Sequence, residues 1–446
     1  MPATPTRYCI IGAGASGLAV AKRFAERGIP FDCFERETDV GGIWNPASPH
    51  AVYDGTYFNS SKRMSKFTDF AMPADYPEYM SRAQAIEYLR AYARAFGLYD
   101  RIAFGSPVAR AEPAEEGWRI AIEGEDAPRT YTGVVVANGH HWSPRLPAYQ
   151  GRFDGEILHS RDVKSRSQLR GKRVLVVGAG NSAADIVSDA ATDGAAAFHS
   201  MRRCNYFVPK LMFGRPTDVI IDKMSRWPLP RRAMRAIYTA GLNVVIGPHE
   251  KYGLSAPDHR LFEAHPTIIT NYLNHIAHGR IALRPEIDRL QGGAVRFKDG
   301  STEAVDLIVC ATGFRPSFPF MDGSLLLDGE GRPHLFLQAV HRQRDDLFAA
   351  GLIEPAEGGV WQLADYQAQL IASFIVAAAR DPARADRFRA LKATAHPDVG
   401  HGLGPGDSDW HKFEIQHYRY RTYIKRLLAR FGPVAEAGFQ DAAEAA

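Results

Sequence analysis

The sequence predicts an α/β fold with two parallel-sheet units, the second inserted into the first. Two glycine-rich turns support this prediction, one near the N-terminus and one near the middle of the 446-residue chain. Each turn follows a short apolar strand and precedes a helical run, a pattern typical of parallel sheets. The length supports the same interpretation, because it suffices for two or three domains.

The first turn follows the strand Tyr8–Ile11. Its first glycine permits a tight turn, and its second lets a phosphate group approach the backbone. The helix that follows presents its N-terminus, where free N–H groups and the helix dipole favour an anion. The candidate dinucleotide contacts in this run are Gly12, Gly14, Ser16 and Gly17.

An acidic residue ends the next strand of this unit. Glu35 stands 18 residues after Gly17, close to the position where a carboxylate accepts hydrogen bonds from ribose hydroxyls. A solvated charge at a strand end is the alternative. Further along, the neutral amide of Asn59 suits a reacting centre without permanent charge, although the local sequence alone favours a helix cap. The other candidate cofactor contacts in this region are Arg36, Gly42 and Trp44.

The second turn follows the strand Val174–Val177 and contains Gly178, Gly180 and Asn181. After the next strand this unit has Arg202 and Arg203 in place of an acid. Guanidinium groups suit phosphate oxygens, so the second unit is predicted to bind NADPH and the first FAD. Ordinary surface charges are the alternative interpretation of the two arginines.

Two apolar strands that end in glycine, in Val134–Gly139 and Asp306–Phe314, bracket the second unit and predict paired linker strands. The segment 205–266, hereafter the excursion, is rich in proline and aromatic residues and is predicted to line the substrate pocket. A membrane-touching surface is the alternative for it. The predicted domains are an FAD-binding domain formed by 1–168 and 301–446, and an NADP-binding domain at 169–300.

Composition excludes several classes of protein. The net charge of +4 and the absence of a dense basic run argue against nucleic acid as a partner. Four scattered cysteines without a CxxC pair argue against a metal site or a redox dithiol and suit a reducing cytoplasm. The first strand leaves no room for a signal peptide, and no apolar run reaches the roughly 18 residues of a membrane span.

From Tyr8 to about Gln369 the chain resembles the flavin-containing monooxygenases, which are class B flavoproteins. The run Phe153-x-Gly155-xxx-His159-Ser-Arg-Asp162 is similar to the family fingerprint, FxGxxxHxxx followed by an aromatic residue, with Val163 at the aromatic position. The other marks of the family are Gly41-Gly42-x-Trp44, Asn59-Ser-Ser-Lys62, Ser182, Arg202-Arg203, Asp258-His259, His265-Pro266 and Ala311-Thr312-Gly313-Phe314.

The resemblance implies an NADPH- and O₂-dependent monooxygenase whose reduced FAD forms a C4a-hydroperoxide and oxygenates an amine nitrogen or a thioether sulfur. It implies that Asn59 is the catalytic residue that holds NADP⁺ and flavin in register. His159, which lies in a linker motif, is expected to orient a loop. The cofactor contacts that the resemblance adds are Ser182, Ala311, Thr312 and Gly313.

Two alternatives stay open. Baeyer–Villiger enzymes, which insert oxygen next to a ketone, are related to this family, and Val163 departs from the feature that helps to separate the two groups. A non-catalytic FAD/NADP redox sensor is the alternative from another class. The expected partners are a small-molecule substrate and O₂, and a homodimer is consistent with the sequence.

Overall fold

The computed structural model describes residues 7–400 and 412–432. The α-helices in these ranges are α1 (Ala15–Glu26), α2 (Lys62–Ser65), α3 (Arg82–Ala95), α4 (Asn181–Asp193), α5 (Thr217–Met224), α6 (Arg231–Val245), α7 (Tyr272–Ala277), α8 (Val360–Arg380), α9 (Pro382–Thr394) and α10 (His417–Phe431). Short 3₁₀ helices cover Gly42–Trp44, Tyr99–Arg101, Arg166–Leu169, His249–Tyr252 and Gly323–Leu325.

The strands are short, as expected where helices cover parallel sheets. They are β1 (Tyr8–Ile11), β2 (Phe31–Phe34), β3 (Ile102–Ala103), β4 (Val108–Pro113), β5 (Trp118–Ile122), β6 (Arg129–Tyr131), β7 (Gly133–Val136), β8 (Gln150–Phe153), β9 (Glu156–His159), β10 (Arg173–Val177), β11 (Ala196–Ser200), β12 (Phe207–Pro209), β13 (Leu211–Met212), β14 (Arg215–Pro216), β15 (Thr267–Ile269), β16 (Ile281–Arg284), β17 (Ile287–Gly292), β18 (Ala294–Phe297), β19 (Thr302–Ala304), β20 (Leu307–Cys310), β21 (Leu335–Phe336), β22 (Val340–His341), β23 (Leu347–Ala349), β24 (Glu354–Pro355) and β25 (Glu414–Ile415).

The first sheet joins the two ends of the chain. Its order is β21-β22-β23-β7-β1-β2-β3, and the five strands from β23 to β3 run parallel. One apolar core lies between this sheet and α1, α3 and α8. The other face packs on the antiparallel sheet β4-β5-β6. Both faces of the inner strand β7 are therefore covered, which explains why all four of its residues are buried.

The second sheet is wholly parallel, in the order β16-β11-β10-β20-β9. Helix α4 covers one face, and the sheet β8-β17-β18-β19 covers the other. The predicted α/β fold with one unit inserted into the other is confirmed.

The prediction of paired linker strands is wrong. Strand β7 pairs with β1 in the first sheet, whereas β20 pairs with β10 in the second, so each is an inner strand of a different unit. Strands β9 and β20 thus belong to the second sheet, although the sequence placed both within the FAD-binding segments. The domain boundaries at 168/169 and 300/301 stay a prediction.

An ion pair between Arg23 of α1 and Asp365 of α8 joins these two helices. The carboxylate of Asp365 is fully buried and accepts two hydrogen bonds from Arg23, at 2.8 and 2.9 Å. It also accepts the backbone N–H of Thr68 at 2.9 Å. Burial alone would raise the pKa of Asp365, but the Arg23 and Thr68 hydrogen bonds overcome it and hold the pKa below its usual value. Three segments that are distant in sequence therefore meet at one carboxylate.

We expect Asp365→Asn to destabilise the protein by about 1–3 kcal/mol, because Arg23 loses its fully buried acceptor while Glu26 and Asp69 remain as counter-charges. A carboxylate with a lowered folded-state pKa stabilises the fold above its unfolded value, and this stability is lost as the pH falls. The difference between wild type and variant should therefore shrink below about pH 4. Urea unfolding at pH 7 and at about pH 3, below the unfolded-state pKa of the carboxyl group, measures both effects. The exposed ion-pair variant Asp386→Asn should cost under about 1 kcal/mol, and an equal cost for both variants would contradict this account.

Candidate cofactor and substrate site

Both glycine turns lie against a backbone carbonyl. Gly12 has φ +101°, and a Cβ added there would lie 2.7 Å from the Ala137 oxygen. Gly178 has φ +136°, and its added Cβ would lie 2.3 Å from the Ala311 oxygen. A Cβ on Gly17 would meet the Gly12 oxygen at 1.8 Å. Each of these positions therefore requires glycine for steric reasons, irrespective of any ligand.

The turns leave the N-termini of α1 and α4 accessible. Gly14 and Gly180 are the N-cap residues, and a Cβ at Gly180 would have no atom within 4 Å. The nearest atom to a Cβ at Gly14 is the Gly42 Cα, at 3.7 Å. Backbone without side chains at a helix N-terminus fits the phosphates of a dinucleotide. Ser16 faces the C-terminal part of the chain instead, because its Oγ would lie 2.1 Å from a Cβ at Gly351.

Glu35 lies against the first turn. Its carboxylate accepts the Ala13 N–H at 2.6 Å and the Glu37 N–H at 3.0 Å. Burial raises the pKa of Glu35, and the two backbone N–H groups oppose that rise. Four lone pairs are present and two are used, so acceptor capacity remains for hydroxyl groups. The neighbouring Arg36 lies over the ring of Trp142, 5.3 Å from its centroid.

The two arginines of the second unit differ in their contacts. Arg203 pairs with Asp258 at 2.6 Å, and this contact lowers the pKa of Asp258 to about 2. Arg202 is exposed and forms no ion pair with residues in the described ranges. Asn181 faces inward, where its Oδ1 accepts the Ile268 N–H at 2.7 Å, while Ser182 is exposed. Arg202 is therefore the more available of the two guanidinium groups for binding a ligand.

A buried histidine that sequence reasoning missed supports the second turn. His199 is fully buried, and its ring nitrogens contact the Gly178 carbonyl and the Tyr272 hydroxyl, each at 2.6 Å. Burial lowers the pKa of His199 to about 4, so the ring is neutral at pH 7. The turn is thus held by a hydrogen bond as well as by its steric fit.

The fingerprint histidine links two chain segments. His159 Nδ1 accepts the Arg161 N–H at 3.1 Å, so Nε2 carries the proton and donates to the Gly313 carbonyl at 2.9 Å. The Thr312 hydroxyl donates to the Arg145 carbonyl. This geometry agrees with the loop-orienting role expected for His159. Val163 is fully buried in the core of the second unit.

Asn59 lines a cavity of about 120 Å³, hereafter the Asn59 cavity. Its predecessor Phe58 stacks on Trp44, with ring centroids 4.5 Å apart, and meets the Trp361 ring edge-on at 5.0 Å. Asn59 caps no helix, since the N-cap of α2 is Ser61. The other residues that line this cavity include Tyr79, Asn181, Lys210, Asp218, His265, Glu354, Glu357 and Val360.

The amide oxygen of Asn59 is buried and has no hydrogen-bond partner among the described residues. A buried acceptor without a donor is costly, and a bound amide or hydroxyl donor would satisfy it. The first residues of α4 and α8 line the same cavity. An unsatisfied acceptor between two helix N-termini fits the nicotinamide and flavin cofactors.

Two carboxyl groups of this cavity have opposite pKa shifts. Burial alone would raise the pKa of Glu354, but His140 and His141, each with Nε2 3.5 Å from its Oε2, hold it well below the usual value. Burial raises the pKa of Glu357 to about 8, helped by Asp222. The ligating atoms of Glu354 and the two histidines lie within 4.8 Å of one another. The expectation of no metal stays a prediction.

Sequence reasoning missed these side chains because their contacts are long-range. The doublet His140-His141 directly after Gly139 was the one local signal. Nothing in the sequence indicated that the segment containing Glu354 and Glu357 would lie beside these two histidines.

Gly178→Ala should destabilise the protein by about 2–4 kcal/mol, because its Cβ would clash with a backbone carbonyl at a left-handed φ. Gly180→Ala in the same turn has φ −88° and open space around the added Cβ, so it should cost under about 1 kcal/mol. Urea unfolding of both variants measures the difference. Equal destabilisation would show that the close approach does not constrain the turn.

Comparisons with known proteins place the chain in a family. The family model described as flavin-binding monooxygenase-like matches residues 6–396. A dimethylaniline monooxygenase (N-oxide-forming) 2 of Rattus norvegicus is 33% identical over 387 residues, covering 81% of this chain and 72% of that protein.

Two solved structures share the fold. The S-allyl-L-cysteine S-oxygenase of Allium sativum has a TM-score of 0.58 and 17% identity, covering 95% of this chain and 99% of that one. The NADP⁺-bound cyclohexanone monooxygenase of Rhodococcus sp. Phi1 has a TM-score of 0.68 and 18% identity, covering 96% and 98%. The family model together with the identity to the rat enzyme shows that this chain belongs to the flavin-binding monooxygenase-like family and is a flavin-containing monooxygenase that uses FAD and NADPH.

Proposed function

We propose that this enzyme oxygenates a soft nucleophile, an amine nitrogen or a thioether sulfur. The observation that carries the proposal is the unsatisfied amide oxygen of Asn59 in a cavity that both dinucleotide units and the excursion line. The N-oxide-forming name of the rat relative supports nitrogen as an acceptor of oxygen. When bound, FAD reduced by NADPH supplies the chemistry that activates O₂.

Two groups of residues would hold the cofactors. We assign to FAD the first turn and its neighbours, namely Gly12, Gly14, Ser16, Gly17, Glu35, Arg36, Gly42 and Trp44. We assign to NADPH the second turn and the arginines after β11, namely Gly178, Gly180, Asn181, Ser182, Arg202 and Arg203. Asn59 contacts both in this assignment, and the return segment Ala311, Thr312 and Gly313 completes the set.

The protein's own part in the reaction is positioning and the exclusion of water. Phe58, which precedes Asn59, stacks on Trp44, and Trp361 meets both rings edge-on. These three rings form an apolar surface beside Asn59. A nitrogen or sulfur lone pair needs no protein nucleophile or general base to react. A small misplacement of the reacting groups at such a site lowers the rate by up to about 10²-fold. Asn59 therefore contributes to the reaction by fixing the position of the groups it contacts.

Val163 does not favour the Baeyer–Villiger alternative on structural grounds. It is fully buried in the second core and is not among the residues that line the Asn59 cavity. Its departure from the fingerprint therefore concerns a core position and not a residue that lines this cavity. Ketone oxygenation and a redox sensor without turnover remain outcomes of the experiment below.

The purified enzyme with NADPH and O₂ should convert trimethylamine or a thioether to the N-oxide or sulfoxide, with little action on a cyclic ketone. Asn59→Ala should lower product per NADPH by about 10-fold or more and release hydrogen peroxide instead, because the amide that fixes the cofactor is gone. Product analysis and a peroxide assay measure both quantities. Asn274→Ala, at an exposed position of α7, is the matched control.

Product from the ketone alone would replace the proposal with the Baeyer–Villiger alternative. NADPH consumption that yields only peroxide with every substrate would count against an oxygenase, and no consumption would favour the sensor.

Arg202→Ala should raise the KM for NADPH about 10-fold or more, the range for a lost charge-assisted hydrogen bond. Arg203→Ala should have a smaller effect, since Asp258 already holds that guanidinium. The KM for NADH should barely change in either variant. Steady-state kinetics with both nucleotides measure these values, and equal use of NADH and NADPH by the wild type would remove the assignment of a 2′-phosphate site.

We also propose a cytoplasmic location and a homodimer. The four cysteines are all buried and free, which suits a reducing compartment. No helix within 7–400 and 412–432 combines the length and the apolar character that a bilayer span requires. Several large apolar side chains of the excursion are exposed and offer a contact surface for a second copy: Leu211, Phe213, Trp227, Leu229 and Ile237.

A further inference from the structure

A second cavity adjoins the Asn59 cavity. It has a volume of about 110 Å³, enough for several water-sized groups, and we call it the excursion cavity. Its aromatic wall is formed by Trp227, Tyr238 and Phe262, and the last two rings meet edge-to-face at 5.1 Å. Ile221 and Glu357 line both cavities. Glu357 therefore lies at the junction between them.

Glu357 is the one ionisable side chain, within the described ranges, that lines both cavities. It is 7% exposed, and its Oε1 accepts a hydrogen bond from Gln416 Nε2 at 2.6 Å. The Gln416 amide is oriented by its own Oε1, which accepts the Arg419 N–H at 2.7 Å. The backbone N–H of His417 is a second donor to the carboxyl group. A carboxylate has about four lone-pair sites, so two remain for a ligand.

Glu357 forms no ion pair with any side chain that the structure describes. The Arg421 guanidinium contacts Asp222, which also binds Arg226 at 2.9 Å. Asp218 of the Asn59 cavity has backbone N–H donors but likewise no cationic side chain bound to it within the described ranges. A buried carboxylate without a counter-charge is costly, and a cationic ligand would supply that charge.

Each of the two arginines that line the excursion cavity lies near another carboxylate, although Arg235 Nε has no hydrogen-bond partner among the described residues. Arg235 pairs with Glu263 at 2.8 Å, and Arg419 lies 3.8 Å from Asp398. The aromatic wall offers ring faces, which attract cations. A cation with an apolar body would gain from both the Glu357 carboxylate and the ring faces, so these two features favour it.

Three helices present titratable or charged groups to Glu357: Asp218 and Asp222 of α5, Tyr238 of α6, and His417 and Arg421 of α10. Burial, with the two aspartates, raises the pKa of Glu357 to about 8. Burial lowers the pKa of His417 to about 3 and raises that of Tyr238 above its usual range. The charge of Glu357 therefore changes between pH 6 and pH 9.

We propose that Glu357 and the aromatic wall form a subsite for an ammonium group carried by the substrate. A protonated nitrogen has no lone pair to react, so the recognised cation is a group other than the oxygenated atom. The substrate class is therefore an amine or thioether that bears a second, cationic nitrogen. That this ligand is a substrate rests on the proposed function, whereas the binding of the cation does not.

The test measures binding of benzyltrimethylammonium, whose charge does not titrate, to the holoenzyme with NADP⁺ by calorimetry from pH 6 to pH 9. The cation requires an ionised Glu357, so its affinity should rise about 10-fold per pH unit up to about pH 8 and then level off. One proton should be released per ligand bound at pH 6–7. The uncharged isostere neopentylbenzene should bind without pH dependence.

Glu357→Gln should weaken cation binding at pH 8 by about 10-fold or more and abolish its pH dependence, with FAD content unchanged. Glu115→Gln, in the exposed β4–β5 turn, is the matched control and should behave as the wild type. Binding that is independent of pH, or equal for the cation and its isostere, would overturn the subsite. If Glu357→Gln does not fold, the pH dependence of cation binding to the wild type still tests the subsite.

The two proposals fail in different ways. Oxygenation of a simple amine without pH-dependent cation binding would overturn the subsite and leave the proposed function intact. Cation binding with the expected pH dependence, but no oxygenated product from any substrate, would support the subsite and count against the proposed function.

Discussion

The structure depends on one steric constraint that occurs twice. In each unit a glycine lies so close to the carbonyl that follows the neighbouring inner strand that a Cβ could not fit: Gly12 against Ala137, and Gly178 against Ala311. This approach brings together the strand before the turn (β1 or β10), the neighbouring inner strand (β7 or β20) and the helix N-terminus. The backbone that lies there is free of side chains and can accept a phosphate. The segments that follow the two inner strands then contact each other, since Pro144 forms an antiparallel bridge with Phe314 and the His141 ring lies 5.8 Å from the Phe314 ring.

Charge is distributed in the core according to the partner each carboxyl group has. Asp365 is paired with Arg23, a largely covered side chain, and joins two helices. Glu354 has two histidines and is held ionised beside the Asn59 cavity. Glu357, three residues further on, has backbone and amide donors but no ion-pair partner among the residues that the structure describes, and burial favours its neutral form. Environments that separate the pKa values of neighbouring carboxyl groups are characteristic of sites that bind or move charge.

Much of the fold could be predicted from the sequence because its signals are local. A strand, a glycine turn and a helix are encoded in about 30 consecutive residues, and both units have this pattern. The partners of β9 and β20 could not be predicted, since sheet membership depends on contacts between distant segments. The same reason explains the site. The glycines and Asn59 stood in recognisable motifs, whereas His199, Glu354 and Glu357 owe their surroundings to chain segments that no local pattern connects.

The sharing of the first sheet between both ends of the chain affects how the protein can be made. During synthesis β1, β2 and β7 leave the ribosome early, but β23, which pairs with β7, follows only after residue 347. Until then one edge of β7 is unpaired and apolar, a surface prone to association with other chains. The strands of the second sheet all lie between 156 and 310, so that sheet can close first. In the nascent chain the second sheet is therefore folded while β7 of the first sheet still lacks its neighbour β23.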